Sequence, residues 1–215
     1  MAKRIFVTAT NTDIGKTYTT VKLLKEYASR GLRVGVIKPI ETGVIDGVYP
    51  DGDLLLATIK ELNTQMRELE VEDIVPISYE LPAAPYIASR GKSLDFTIIN
   101  AAIEKIEKLC DILIIEGAGG LYVPVDSNFM IVDLISFFNA TPLLVTHCSL
   151  GCINDTLLSL QVFKNKGFET VIAFNCRKSD ESFSELSAPF FVNNEYDLFK
   201  VDEDIDTICD VLYNL

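Results

Sequence analysis

The sequence is short of positive charge and nearly without histidine: 19 lysines and arginines stand against 31 aspartates and glutamates, and the one imidazole is His147. A net charge of −12 opposes attraction to nucleic-acid phosphates or an anionic membrane surface everywhere except inside a local cationic pocket. Neither nucleic acid nor membrane is therefore an expected partner. No apolar stretch approaches the roughly 20 residues that span a bilayer, and Met1-Ala2-Lys3-Arg4 leads straight into a short apolar strand with no signal-type region. These absences predict a cytoplasmic protein. The five cysteines, Cys110, Cys148, Cys152, Cys176 and Cys209, include no C-x-x-C pair, and several lie beside apolar residues, so reduced, buried thiols are expected. Repeats, low-complexity tracts and Gly/Ser linkers are also missing. A lone histidine with no acidic partner evident in sequence reads as structural.

What is present is the balance of a compact globular protein, with 48% hydrophobic and 23% charged residues in a chain of 215. That length predicts one domain, 1–215. Short apolar, β-branched runs recur at 5–8, 34–37, 112–115, 143–146 and 171–174, separated by segments of helical spacing near 17–30, 54–67, 96–109, 153–166 and 203–213. The alternation predicts an α/β fold, a doubly wound, mostly parallel sheet with helices on both faces. Residues 41–52 and 76–93 read as irregular, Gly- and Pro-containing stretches of the length that functional loops have, and 179–187 reads as a polar loop.

The strongest motif is Thr8-Ala9-Thr10-Asn11-Thr12-Asp13-Ile14-Gly15-Lys16-Thr17, between the first strand and the first helix. At such a junction free backbone N–H groups point at an anion, Lys16 reaches terminal phosphates and the Thr17 hydroxyl can ligate magnesium. This makes the fold P-loop NTPase-like. The glycine usual at the loop's start is missing: Thr10 holds its position and Ala9 the one before, which implies either an ordinary backbone there or a slightly displaced loop.

In an open parallel sheet, ligands bind beyond the carboxyl ends of the strands. Lys38, Glu116-Gly117-Ala118-Gly119-Gly120 and Asn175 each follow a predicted strand and so share one edge with the phosphate loop. Glu116 suits magnesium, a hard cation that takes one or two carboxylates beside substrate phosphates. Asp53 is either the second carboxylate or an ordinary N-cap of the helix that begins at Leu54. The glycines after Glu116 make room for phosphate or merely a tight turn. Lys38, where a strand enters Pro39 and an irregular loop, joins Lys16 as a catalytic candidate, able to steady a developing phosphoryl or carboxylate charge.

Over nearly its whole length the chain resembles the dethiobiotin synthetase family. The residues that carry the resemblance are Phe6-Val7-Thr8 leading to Thr12-Asp13-Ile14-Gly15-Lys16-Thr17, Lys38-Pro39 with Thr42-Gly43, Asp53, Glu116 through Gly120, and Leu150-Gly151-Cys152-Ile153-Asn154. The resemblance implies a homodimer that uses ATP and magnesium to convert 7,8-diaminopelargonic acid and carbon dioxide into dethiobiotin, ADP and phosphate. It puts Lys16 and Lys38 on the phosphates and the reacting carbamate, and Thr17, Asp53 and Glu116 around magnesium. The nucleotide would meet Asp13 through Tyr18, Asp53, Glu116, Gly117, Ala118 and Gly119, with Asn175 at its base. Thr12, Lys38 and Thr42 would face the diamine, while Gly151, Cys152 and Asn154 would reach across the dimer to its carboxylate.

The chemistry suits that set. An alkyl ammonium is only about one part in a thousand neutral at pH 7, and nearby lysine charges favour the neutral amine that captures carbon dioxide. Phosphoryl transfer to the carbamate, attack by the second amine and loss of phosphate close the ureido ring without a protein nucleophile. A nucleotide-dependent switch or partitioning ATPase is the other reading of the same loop, although many of those carry a lysine early in the loop, where this chain has Asn11.

Overall fold

The computed structural model describes residues 2–215. The first half of the chain forms β1 (Lys3–Ala9), α1 (Lys16–Ser29), β2 (Val34–Ile37), β3 (Ile40–Thr42), α2 (Gly52–Leu62), α3 (Val71–Ile74), β4 (Ile77–Tyr79), α4 (Pro85–Ala88) and α5 (Phe96–Glu107). The second half adds β5 (Ile112–Gly120), α6 (Ile131–Phe137), β6 (Thr141–His147), α7 (Cys152–Lys166), β7 (Val171–Asn175), α8 (Phe183–Leu186), α9 (Ala188–Asn193), β8 (Phe199–Lys200) and α10 (Ile205–Asn214). Six strands make one sheet in the order β2-β5-β1-β6-β7-β8, and every pairing in it is parallel. The core strands are buried along consecutive residues, Ile5 to Ala9 in β1 and Ile112 to Gly117 in β5, which alternating burial would not give. Both faces are therefore covered, and a strand of that kind must read as a near-continuous apolar run.

The strand order reverses beside β1. After β5 the chain crosses to the other side of β1 to form β6, which opens the crevice at the carboxyl ends where open α/β sheets bind ligands. The long elements lie within a few residues of their predicted bounds. The two irregular stretches hide a small parallel pair, β3 with β4, and the polar loop at 179–187 contains α8. β5 also runs on through Gly120, so Glu116 and the glycines after it lie in the strand and not beyond it. Its register against β1 slips between Val7 and Ala9, bringing Gly120 opposite Ala9.

The expectation of five reduced thiols needs correction. Cys110, Cys152 and Cys209 are free and buried, but Cys148 and Cys176 form a disulfide. They sit one residue past β6 and β7, whose register pairs His147 with Asn175. Strand pairing brings them together across 28 residues of sequence, where no C-x-x-C spacing announces it.

Candidate active site

The phosphate loop is held open by its own backbone. Gly15, the cap of α1, has φ 102°, and a Cβ there would stand 2.0 Å from the Asn175 amide nitrogen. A side chain at 15 is thus excluded by both conformation and space. Asn175 donates to the Ile14 carbonyl at 2.8 Å, and Arg177 donates to the Asp13 carbonyl at 2.5 Å. These two residues brace the loop from the end of β7. The missing early glycine finds its answer on the neighbouring strand. Ala9 is ordinary strand, Thr10 N–H bonds the Val145 carbonyl at 3.0 Å, and it is Gly120 whose Cβ would press to 3.1 Å from the Thr10 carbonyl oxygen.

Four predicted residues meet at the sheet edge. Lys38, 3% exposed, donates to Glu116, which is 0% exposed, at 2.8 Å. The same Glu116 oxygen, Oε1, accepts the Thr17 hydroxyl at 2.9 Å. The other, Oε2, is buried with no partner. Lys16 is buried as well, and its nearest acceptor is the Asn11 carbonyl at 3.4 Å. Burial pushes the Lys16 pKa down, with the nearby Lys38 charge adding to the push and Glu116 opposing it. Burial would also depress Lys38, but the carboxylates of Glu116 and Asp51 outweigh it and hold the ammonium above the ordinary lysine range.

Asp51, unmarked in the sequence reading, is the second carboxylate of this group. Burial pushes its pKa up, but the ion pair with Lys38 outweighs that and holds it below the ordinary carboxylate value. Asp53, where that carboxylate was expected, is exposed and accepts the Tyr49 N–H at 2.9 Å, tying the preceding loop to the first turn of α2. The buried Glu41 fixes the arrangement by accepting the Asp51 N–H at 2.6 Å and the Gly52 N–H at 3.0 Å, donors that a helix start leaves unpaired.

A cleft of about 790 Å³ opens over these groups. Its phosphate end is lined by Asp13, Gly15, Lys16, Thr17, Lys38 and Asp51, and it continues between Thr12, Thr42, Ala118, Gly119 and the segment Pro82 to Pro85. Both stretches that read as irregular thus contribute walls. Tyr18 is turned away, 44% exposed, with its hydroxyl on Asp202 at 2.5 Å. Gly117 packs under Phe6 and Ile131, where a Cβ would meet the Phe6 ring at 3.0 Å, so its smallness serves the core.

Residues 151–154 do not line this cleft within the subunit. Gly151 is exposed with φ 100° and caps α7. Asn154 is exposed and bonds Asp155. Cys152 is 0% exposed and its N–H is taken by Ser149 at 3.1 Å, so it has no free group to offer a ligand. His147 has the partners that its sequence neighbourhood concealed, Ser149 at 2.6 Å and Asp155 at 3.0 Å. It fastens the β6–α7 turn, in keeping with the structural reading.

Residues 3–209 match the profile of a family described as AAA domain. Among curated relatives, the chain is 44% identical over 187 residues to the ATP-dependent dethiobiotin synthetase BioD of Sulfurovum sp., covering 87% of this chain and 89% of the relative. It is 32% identical over 213 residues to the ATP-dependent dethiobiotin synthetase BioD of Wolinella succinogenes, covering 98% of each. Among solved structures, a ParA family ATPase from Chlorobium tepidum superposes with a TM-score of 0.51 at 13% identity, covering 99% of this chain and 93% of that one. The last is a likeness of fold alone.

Proposed function

The chain belongs to the ATP-dependent dethiobiotin synthetase family, and from that premise we propose how its own residues carry out the ring closure. The enzyme uses ATP with magnesium to form dethiobiotin. The reading assigned to the cleft is that 7,8-diaminopelargonic acid lies along Thr12 and Thr42 with its amines toward Lys16 and Lys38, and that carbon dioxide is captured there as a carbamate. The observation that carries it is the convergence of Lys16, Thr17 and Lys38 at one end of a cleft whose other end runs past Gly119 and Pro82 with room for a small substrate, while Glu116 bonds Thr17 and Lys38 from behind.

The residues fit magnesium. Glu116 Oε2 is a buried carboxylate oxygen with no partner, the Thr17 hydroxyl is on the same carboxylate, and Asp51 is beside both through Lys38. Among the described residues no group of three or more His, Cys, Asp or Glu side chains forms a metal cluster, as suits a cation that draws most of its ligands from phosphates and water. When bound, magnesium neutralises charge on the transferring phosphoryl group. The rest belongs to the chain. The buried Lys16 and Lys38 charges disfavour a protonated amine beside them and favour the carbamate that replaces it. The backbone donors from Gly15 onward receive the phosphates, and the walls around Thr42 and Pro82 to Pro85 keep the second amine close to the mixed anhydride.

Incubation with diaminopelargonate, bicarbonate, magnesium and each nucleotide should give dethiobiotin by mass detection, with ATP turnover that requires the diamine. Turnover indifferent to the diamine and raised by a protein or DNA partner would overturn the reading in favour of a partitioning-type ATPase. Asp51→Asn should raise the magnesium concentration needed for binding of a non-hydrolysable ATP analogue by about tenfold, the loss of one charged hydrogen-bonded contact, while Asp53→Asn changes it little. The reverse ranking would return the second carboxylate to Asp53.

The family reading also takes the enzyme to be a cytoplasmic homodimer of one-domain subunits. One domain is supported by a main core cluster that draws residues from Ile5 through to Leu212, with a smaller second cluster around Phe174, Phe183 and Phe191. The cytoplasm agrees with the fact that no helix among the described residues is long and apolar enough to cross a membrane. A dimer is supported by an apolar groove of about 640 Å³ along Leu121 to Pro124 and α7, in whose wall Tyr122 and Leu158 are exposed. In that dimer residues 151–154 of one subunit complete the substrate site of the other.

A further inference from the structure

Cys148 and Cys176 lie at the ends of two adjacent strands of the ligand-binding edge, with Cα atoms 4.9 Å apart, a separation at which a disulfide closes without moving the backbone. What each cysteine is attached to gives the bond its interest. Cys176 stands between Asn175 and Arg177, the two residues that brace the phosphate loop through the carbonyls of Ile14 and Asp13. Cys148 follows His147 and opens the turn into α7, which His147 fastens through Ser149 and Asp155. The bond thus pins the brace of the nucleotide site to the turn that leads into 151–154. Nothing in the ring-closing chemistry uses either sulfur.

We propose that Cys148 and Cys176 are a reversible dithiol–disulfide pair whose oxidation state sets nucleotide affinity, exchanging with a low-molecular-weight disulfide and its thiol. Cys176 is part-exposed and Cys148 is buried. The Cys176 thiolate, its proton released to solvent, attacks one sulfur of the small disulfide. That S–S bond breaks, one small thiol leaves and a mixed disulfide forms. Cys148 then loses its proton and displaces the second small thiol. Two protein thiols and one small disulfide become one protein disulfide and two small thiols, so the protein pair gives up two electrons and the small disulfide accepts them. Cys110 and Cys209 do not compete, because burial pushes both thiols up to about 12 and leaves them no thiolate near neutral pH.

In the oxidised protein Asn175 and Arg177 are held against the loop before nucleotide arrives. Reduction frees Cys176 from Cys148 and lets the 175–177 segment move, so part of the ordering must be done by the nucleotide itself. The expected consequence is weaker binding on reduction, by about fivefold, the low end of ordinary coupling between sites. The proposal rests on nucleotide binding at the phosphate loop and not on which diamine is carboxylated.

The test uses the full-length protein equilibrated in buffers of oxidised and reduced glutathione. Peptide mapping reads the Cys148–Cys176 bond, and calorimetry reads the affinity for MgADP, a probe that needs no turnover. Affinity that follows the mapped bond, tighter when oxidised, supports the switch. The Cys148→Ser/Cys176→Ser variant should form dethiobiotin at the rate of the reduced wild type and lose the glutathione dependence. Equal MgADP affinity in the fully oxidised and fully reduced wild type overturns the proposal without recourse to any variant, and so does absence of the bond in mapped peptides at every glutathione ratio. A failure to make dethiobiotin alongside an intact redox shift in MgADP affinity would sink the ring-closing reading and leave the switch standing.

Discussion

Lys38→Met is expected to remove dethiobiotin formation and to lower the melting temperature by about 6 to 20 °C. Both effects come from one contact set. Lys38 is the partner of the fully buried Glu116 and of Asp51, and a buried carboxylate that loses the cation paired with it costs about 3–5 kcal/mol. In a domain of this size each kcal/mol moves the melting temperature by about 2–4 °C. The activity loss should reach about 10²- to 10³-fold, the scale seen when one preorganised donor to a developing charge is deleted. The double variant Lys38→Met/Glu116→Gln separates the two. It removes the stranded charge, so most of the stability should return, while activity stays lost because both site groups are gone. Melting curves of the two single variants and the double give the coupling directly. A Lys38→Met protein as stable as wild type would mean that Glu116 finds another cation, and the ion-pair account of the site would fall.

That contrast explains why parts of the site could be read from sequence and others could not. Lys16 and Thr17 follow a glycine at a strand-to-helix junction, a local pattern whose chemistry is fixed by the backbone. Lys38 and Glu116 were legible because each follows an apolar strand run, and the parallel register that sets Ile37 beside Ile115 brings these residues, 78 positions apart, side by side even though β5 runs on past Glu116. Asp51 was not. It stands two residues before the more conspicuous Asp53, and which of them turns inward depends on Glu41 capturing the N–H groups of 51 and 52, a contact between a three-residue strand and a helix start. Strands as short as β3 and β4 carry too few alternations to register as a period, so the walls of the cleft read as loop. α6 escaped for the same reason. Ile131, Val132, Leu134 and Ile135 are buried while Asp133 and Ser136 face outward, a helical period carried over only seven residues and so too short to register as one. The Cys148–Cys176 and His147–Asp155 contacts are products of register and of a turn, neither of which spacing alone fixes.

Lys16→Ala, by comparison, should abolish turnover and leave stability unchanged or slightly raised. Among the described residues the buried Lys16 makes no ion pair and one hydrogen bond, to the Asn11 carbonyl at 3.4 Å; burial depresses its pKa, so the free protein gains little from the charge that phosphate will use. That makes it a clean lesion for asking whether two subunits share a site. Gly151 supplies the second lesion. Apart from its immediate chain neighbours, no described residue of its own subunit comes within 4 Å of a Cβ built there, so bulk at 151 would chiefly obstruct something brought by a partner. Its φ of 100° strains any side chain, which Gly151→Ala reports without bulk. The expected pattern is that Gly151→Ala retains activity, Gly151→Trp loses it at unchanged oligomeric state, and a Lys16→Ala subunit mixed with a Gly151→Trp subunit regains it. If each site takes 151–154 from its neighbour, a mixed dimer concentrates both lesions in one site and leaves the other intact, so random reassociation should recover about a quarter of the wild-type sites. Verified mixed dimers with no recovery would confine each active site to its own subunit and leave the exposed turn at Gly151 without a part in substrate binding.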